Sequence, residues 1–575
     1  MGLKEIASAM HDRSQIPHGI SYIDIIKDIK KFKNSNSNKR PIIVLNFPSL
    51  VYVTNASIVE ILKGRCWKTI LEEIKGFLDN LMAEDMQLVF FSEGYFVPRN
   101  QETWLANKTK QYWKECELIE EIESNADITK DKSHYQASAF TVYRDYLEQN
   151  LKSYGKWIKT FDSDVTFEMG CYAKENNVFA VMSDDTEFLI YEGNYRLWSV
   201  RKINFKDMTT KEFNKFNLRK ALQLFPEHMP LFATLCGNDF NSDEKLKQFH
   251  NSFPEKTKIK CIAKYVTKVK NRNEDEDLEK ISKRCGLTEE EIKLSYEKYD
   301  LNKLKKINDM NETQFMQKLR SNGFTLLYSI LKQKPLRLGP YYEDVRKPIL
   351  SVNQMDLCIW LHRCLLGVIF KEKQDFDLKC PLYTIKDHEK GYELVSEIPE
   401  YPKFDIPSFE NLIFDKSCDY QTVHFNLLKW VLKSNELDTN ILLKFQDVYV
   451  PVLLTLNFLV QEAQLSIDDT DVLLISIYDT ISDRVPKIDG TFQTAHDLLK
   501  IDFLPFQLFY YFIRIQSLII RFLSTIGLEK WKKYPDLNGV YFHHLYKKWQ
   551  NMDEYAKIDR LNEIKDMRIY AKEEK

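Results

Sequence analysis

Six carboxylates in the first 240 residues fall where apolar runs end: Glu93, Asp164, Glu168, Asp185, Glu187 and Asp239. Carboxylates held together repel and raise one another's pKa, so such a cluster is stable chiefly around a divalent cation. Oxygen ligands of this kind suit Mg²⁺ or Mn²⁺. Two such ions could activate a water and stabilise the leaving oxygen in phosphodiester hydrolysis. Any one of these acids taken alone is more often a helix cap or a turn residue. Their common placement at strand ends is what argues for a shared site.

The elements that must position them alternate apolar, strand-like runs with helical patterns, the habit of a mainly parallel sheet covered by helices. The expected strands are 41–45, 87–91, 157–161, 178–182 and 195–200. In such a sheet, ligands bind beyond the carboxyl ends of the strands. With Asp164 as the cap of a helix running to Ala173, Glu168 falls one turn along on the same face. Helical periodicity spans 58–81, and Thr209-Thr210-Lys211-Glu212 reads as a capping box for a helix running toward Phe225. The stretch 95–156 is too long for a plain connection and is expected to leave the sheet as a helical insert. The chain is thus divided into an α/β domain over 1–240, a helical, lysine-rich segment over 241–334 and a mostly helical domain over 335–575.

With 575 residues, 44% of them hydrophobic, the chain has material for several packed cores. A net charge of −2 argues against a protein that coats polyanions with its whole surface, so a nucleic-acid site must be a local patch. The ten cysteines contain no C-x-x-C pair, and neither a structural zinc site nor a disulfide framework is expected. No apolar stretch opens the chain, and the apolar run 503–523 is interrupted by Pro505, Gln507, Arg514, Gln516 and Arg521. It reads as a buried helix, and the expected setting is intracellular, nuclear or cytoplasmic, without a membrane.

Met1-Gly2-Leu3, the run Ser183-Asp184-Asp185-Thr186-Glu187-Phe188 and Cys236-Gly237-Asn238-Asp239-Phe240 resemble the flap-endonuclease/XPG superfamily, which has a PIN-like nuclease fold. Within it the chain looks most like an Asteroid-family protein, through 453–471 and Asn538-Gly539-Val540-Tyr541-Phe542-His543-His544-Leu545-Tyr546. The resemblance implies a structure-specific nuclease acting on branched or single-stranded DNA with two Mg²⁺ or Mn²⁺ ions. Asp185, Glu187 and Asp239 would hold one ion, and Glu93, Asp164 and Glu168 the other. The departures matter as much. The family's first-strand aspartate falls on Asn46, and its acid-x-acid pair falls on Asp164 and Thr166, so one metal position is depleted. The alternative is a catalytically inactive scaffold that binds nucleic acid or protein.

The resemblance also implies nucleic-acid contacts at Gly2 and along an arch made by the 95–156 insert, where Arg99, Lys108 and Lys110 precede an acidic run from Glu115 to Glu123. Lys256, Lys260, Lys264 and Lys268 are spaced by four, which puts them in a slowly drifting stripe on one helix face, with Lys258 and Lys270 nearby. A row of ammonium groups tracks phosphates without reading sequence, although it equally describes an ordinary solvated face. DNA is the expected ligand and RNA an alternative, with protein partners reached through the C-terminal helical domain. His543 and His544 read as packing residues.

Overall fold

Ile42–Asn46 (β2), Gln87–Ser92 (β3) and Ala180–Met182 (β5) are almost uninterrupted apolar runs, buried along nearly their whole length. Such runs suit strands covered on both faces, as parallel sheets require. In the computed structural model β2 pairs in parallel with both β3 and β5, β3 with Lys156–Lys159 (β4), and β5 with Arg196–Trp198 (β6). Two antiparallel strands, Ile20–Asp24 (β1) and Thr209–Phe213 (β7), complete a seven-stranded sheet of order β1-β7-β6-β5-β2-β3-β4. The structure describes all residues except 1–2, 37–38, 54–56, 95–100, 127–132, 162, 239–242, 271–273, 303–311, 373–377, 416–419, 435–436, 487–499 and 572–575.

The chain divides into two units. The first takes residues 1–54, 73–101 and 152–325; the second takes 55–72, 102–151 and 326–575. The segment from 241 to 325 therefore groups with the sheet. Its Leu246, Ile262, Val266, Ile281 and Leu301 share one core cluster with Val44, Val89 and Val181 of the strands.

Two local expectations are corrected. Thr209-Thr210-Lys211-Glu212 is not a capping box but part of strand β7, each of whose residues stands opposite one of β1. The helix that follows, Lys215–Leu222, is capped instead by Asn214, whose side chain accepts from Asn217 N. The helical stretch 58–81 is two helices, Ile58–Leu62 and Trp67–Ala83, separated by Gly64 at a positive φ of 90°. The second unit is mostly helical and also carries a small sheet: Leu336–Arg337 (β8), Cys380–Asp387 (β9) and Gly391–Glu397 (β10), in the order β10-β9-β8.

The insert forms helices Gln101–Glu123 and Ser133–Leu151 within that second unit. Trp104 meets Tyr383 of β9 edge-on at 5.3 Å, and Tyr112 is buried, so these aromatics are packing residues. Glu120 and Glu123 pair with Arg346 and Lys347 of the same unit.

The helix Phe503–Thr525 is the one described helix long and apolar enough to cross a bilayer, yet 89% of its most apolar window is buried inside the protein. Two of its polar side chains are satisfied across the core, whereas Arg514 Nε and Gln516 Nε2 are buried without a hydrogen-bond partner. Gln507 Nε2 donates to Tyr342 O at 2.6 Å, and Tyr511 Oη donates to Val352 O at 2.8 Å.

Candidate functional site at the strand ends

Asn46, Glu93, Asp164 and Asp185 stand at or just beyond the carboxyl ends of β2, β3, β4 and β5. The order of these strands reverses beside β2, the switch point where open α/β sheets form their crevices. The ends of β3 and β4 approach so closely that a Cβ at Gly94 would lie 1.9 Å from Thr160 O. Glycine is therefore required directly after Glu93, whose own side chain is exposed.

Each described acid on the β4 and β5 side is held by protein donors. Asp164 caps the helix Val165–Glu175, its Oδ1 accepting from Phe167 N at 2.8 Å. Glu168, one turn on as the sequence implies, folds back to accept from Ser163 N at 3.1 Å and from Phe161 N and Ser163 Oγ at 3.3 Å. Asp185 caps the short 3₁₀ turn Thr186–Leu189 by accepting from Glu187 N at 3.0 Å. Its other oxygen accepts from Thr166 Oγ1 at 2.8 Å. Thr166, the residue that stands for an acid in the resemblance, thus donates where a carboxylate would have repelled.

Glu187 is the most perturbed member. Its side chain is 9% exposed and forms an ion pair through Oε1 with Lys298 Nζ, itself 9% exposed. Its Oε2 accepts from Tyr191 Oη at 2.8 Å. Burial pushes its carboxyl up to about 8; Asp185 and Asp164 add to the rise and the Lys298 ammonium opposes it. Lys298 follows the helix Glu289–Glu297, which a Thr288/Glu291 capping box starts. That helix is tied to the preceding segment where Ser295 Oγ meets Thr234 Oγ1 at 2.7 Å and accepts from Asn238 Nδ2 at 2.7 Å.

Sequence reasoning did not find Lys298. It lies 111 positions beyond Glu187 in an ordinary charged run, and only the fold brings it to the acid.

The described donors do not fit two Mg²⁺ ions. Glu187 already carries an ammonium, Asp185 faces a hydroxyl donor, and Asp164 and Glu168 accept from backbone N–H groups. Among the described residues, no three of these carboxylates bring ligand atoms within 4.8 Å of one another. Asn46 is buried with Oδ1 lacking a partner, but a single neutral amide oxygen supplies no charge. Asp239, Gly2 and Arg99 lie outside the described residues.

Of the basic positions, Lys110 is exposed, while Lys108 donates to Gln111 Oε1 at 3.1 Å. The lysine row sits on the helix Lys258–Lys270, with Lys256 in the 3₁₀ turn before it. Lys256, Lys264 and Lys268 are exposed. Lys260 is half-buried and reaches Ser14 O at 3.4 Å. Lys258 is turned in and paired with Glu255. His543 is buried with both ring nitrogens unpartnered, in keeping with a packing role.

The first unit is thus a mixed α/β domain with a mostly parallel sheet, its acids gathered at the strand ends and engaged by protein donors. A family profile described as "FAM120A-like domain" matches residues 222–306, the segment that contains both the lysine row and Lys298. The constitutive coactivator of peroxisome proliferator-activated receptor gamma from Mus musculus is 20% identical over 260 residues, covering 45% of this chain and 31% of that protein. Its Homo sapiens counterpart is 21% identical over 208 residues, covering 36% and 22%. The chain therefore spans under a third of the length of these relatives. The catalytic core of Rad2 in complex with DNA substrate aligns with 49% of this chain and 98% of its own, at 11% identity and a TM-score of 0.24, a value from which no fold assignment is drawn.

Proposed function

We propose that the first unit is a nuclease-type α/β domain, of the kind the resemblance to XPG and Asteroid proteins implies, retained as a catalytically inactive scaffold that binds nucleic-acid backbone. The observation that carries this reading is the buried Lys298–Glu187 pair. Two-metal hydrolysis needs the charge of its ions where substrate and water can reach it. Here the compensating charge on Glu187 belongs to the protein. Asn46 and Thr166 remove two further ligand charges and point the same way.

The binding surface of this reading is the row Lys256, Lys260, Lys264 and Lys268, which would follow phosphates of DNA or RNA without base contacts. The relatives are named as coactivators. A protein partner for the second unit and an intracellular setting, nuclear or cytoplasmic, go with that name.

The competing reading is a Mg²⁺- or Mn²⁺-dependent nuclease acting on branched or single-stranded DNA, favoured by the nearness of Asp164 and Asp185 to Glu187. One experiment separates the two. Wild type and an Asn46→Asp, Thr166→Asp, Lys298→Ala variant are incubated with flap and single-stranded oligonucleotides in the presence of either ion. The scaffold reading expects no cleavage by wild type, with cleavage or millimolar Mg²⁺ binding gained by the variant. Robust wild-type turnover that Asp185→Ala abolishes overturns it.

A further inference from the structure

In the second unit, the helix Gln101–Glu123 lies against the β9–β10 hairpin. Its residues Thr109, Tyr112, Trp113 and Cys116 recur at helical spacing and share one face. Thr109 Oγ1 accepts from Tyr392 N at 2.9 Å, and Trp113 Nε1 donates to His388 O at 2.9 Å, so the hairpin turn is fixed on this face. The turn then presents His388 Nδ1 to three heteroatoms at once: Tyr112 Oη at 3.3 Å, Asp344 Oδ1 at 3.7 Å and Cys116 Sγ at 3.9 Å.

One ring nitrogen carries either one proton or one lone pair, so it can satisfy only one of these neighbours. All three distances also exceed good hydrogen-bond lengths. The pattern is that of ligand atoms spaced around a centre. Tetrahedral Zn²⁺ with bonds of about 2.3 Å to sulfur and about 2.0 Å to nitrogen or oxygen separates S from N by about 3.5 Å and N from O by about 3.3 Å. The observed separations are each a few tenths of an ångström longer, and the Cys116, Asp344 and His388 ligand atoms all lie within 4.8 Å of one another.

We infer that Cys116, His388 Nδ1 and Asp344 Oδ1 form a structural Zn²⁺ site, with the Tyr112 hydroxyl on its fourth side, that pins the helix Gln101–Glu123 to the β9–β10 turn. Cys, His and Asp are the donor types zinc takes. Cys116 is 2% exposed and Asp344 2%, which suits a closed structural site and rules out a thiol nucleophile that must meet substrate. Arg346 Nη2 holds Asp344 Oδ2 at 2.6 Å, and its Nε contacts both oxygens at 3.0 Å. Arg346 N also donates to Oδ1 at 3.0 Å, so Arg346 fixes the carboxylate beside the histidine, as supporting residues do for metal ligands. No sequence spacing advertises the site, because its ligands come from three segments separated by 228 and 44 residues.

The test uses the full chain, stripped with chelator and dialysed, then titrated with Zn²⁺ and, separately, with Co²⁺ under reducing conditions. Expected are binding of about one equivalent at sub-micromolar metal, a thiolate-to-cobalt charge-transfer band with tetrahedral visible bands, and a rise in melting temperature that chelator reverses. Cys116→Ser and His388→Gln, each checked for native far-ultraviolet circular dichroism, should each lose the charge-transfer band and the thermal shift. A wild type that binds neither ion at micromolar metal overturns the site. So does equal binding by wild type and both folded variants, which would mean adventitious ion at other thiols. If one variant fails to fold, the other, or the cobalt spectrum of wild type, decides.

Discussion

Replacing Lys298 by methionine keeps most of the side-chain volume and removes the charge that faces Glu187. Both side chains are 9% exposed, so the pair is cut off from water. Removing one partner of a buried pair costs about 3–5 kcal/mol, because the charge left behind is uncompensated. The cost depends on pH. Burial already pushes Glu187 from an ordinary 4.5 up to about 8, so between those values the folded protein holds a proton that the unfolded chain has released. Stability contributed by this group therefore falls as pH rises through that window, by at most about 1.4 kcal/mol per unit. Without Lys298 the carboxyl shifts further up, and the variant escapes much of its penalty by protonation at pH 6 but less of it at pH 9.

The assay is urea denaturation at pH 6 and pH 9, read locally by hydrogen exchange at the amides of the helix Val165–Glu175, since a chain of two units need not unfold in one step. Lys298→Met should lose about 3–5 kcal/mol at pH 9 and clearly less at pH 6. Adding Glu187→Gln, which keeps an acceptor for Tyr191 Oη, should recover most of the loss. A single variant within about 0.5 kcal/mol of wild type at pH 9, or a double variant whose cost is the sum of the singles, would refute the account of Lys298 as the countercharge.

Two further outcomes are expected. Changing Lys256, Lys260, Lys264 and Lys268 together to alanine should weaken oligonucleotide binding, measured in EDTA, and flatten the log–log salt dependence by about three units; unchanged affinity and slope would make the row a solvated face. His543→Leu should leave stability at pH 7 unchanged or raised, because it removes two buried ring nitrogens without partners. It should also remove an acid sensitivity. Burial drops His543 to about 3, so below pH 6.5 the unfolded chain takes up a proton that the folded form refuses, and wild-type stability falls with pH where the variant's does not.

The central strands were legible because a parallel sheet buries both faces and so leaves continuous apolar runs such as Ile42–Asn46 and Gln87–Ser92. The two antiparallel strands at one end of the sheet leave no such mark. Ile20–Asp24 is largely open to solvent, with Tyr22 79% exposed, and Thr209–Phe213 contains Thr-Thr-Lys-Glu, whose cap-like chemistry outcompetes its alternation on paper. Cys380–Asp387 was hidden for a related reason, since its pairing partners become visible only once the Gly391 turn closes the hairpin. The Asp164 cap and the Glu168 placement were readable because both follow from the local geometry of one helix. Lys298 at Glu187 and His388 at Cys116 are contacts across more than a hundred residues, and no local pattern encodes them.

Most of the acids at the strand ends have a use in the fold that needs no ion. Asp164 and Asp185 each do a second job as caps, so replacing either would leave the start of a helix or 3₁₀ turn with an unmet N–H. Glu168 likewise closes the turn before its own helix. Their conformational use is independent of any ion. Glu187 is different, because it caps nothing and is buried; a carboxylate there needs a proton or a positive charge nearby. Lys298 meets that need, and Thr166 relieves Asp185 of a like-charged neighbour that the XPG-type pattern would have supplied. Restoring aspartate at position 166 without removing Lys298 should therefore raise the Glu187 carboxyl further rather than create an ion site, which is why the restoring variant must change all three positions together.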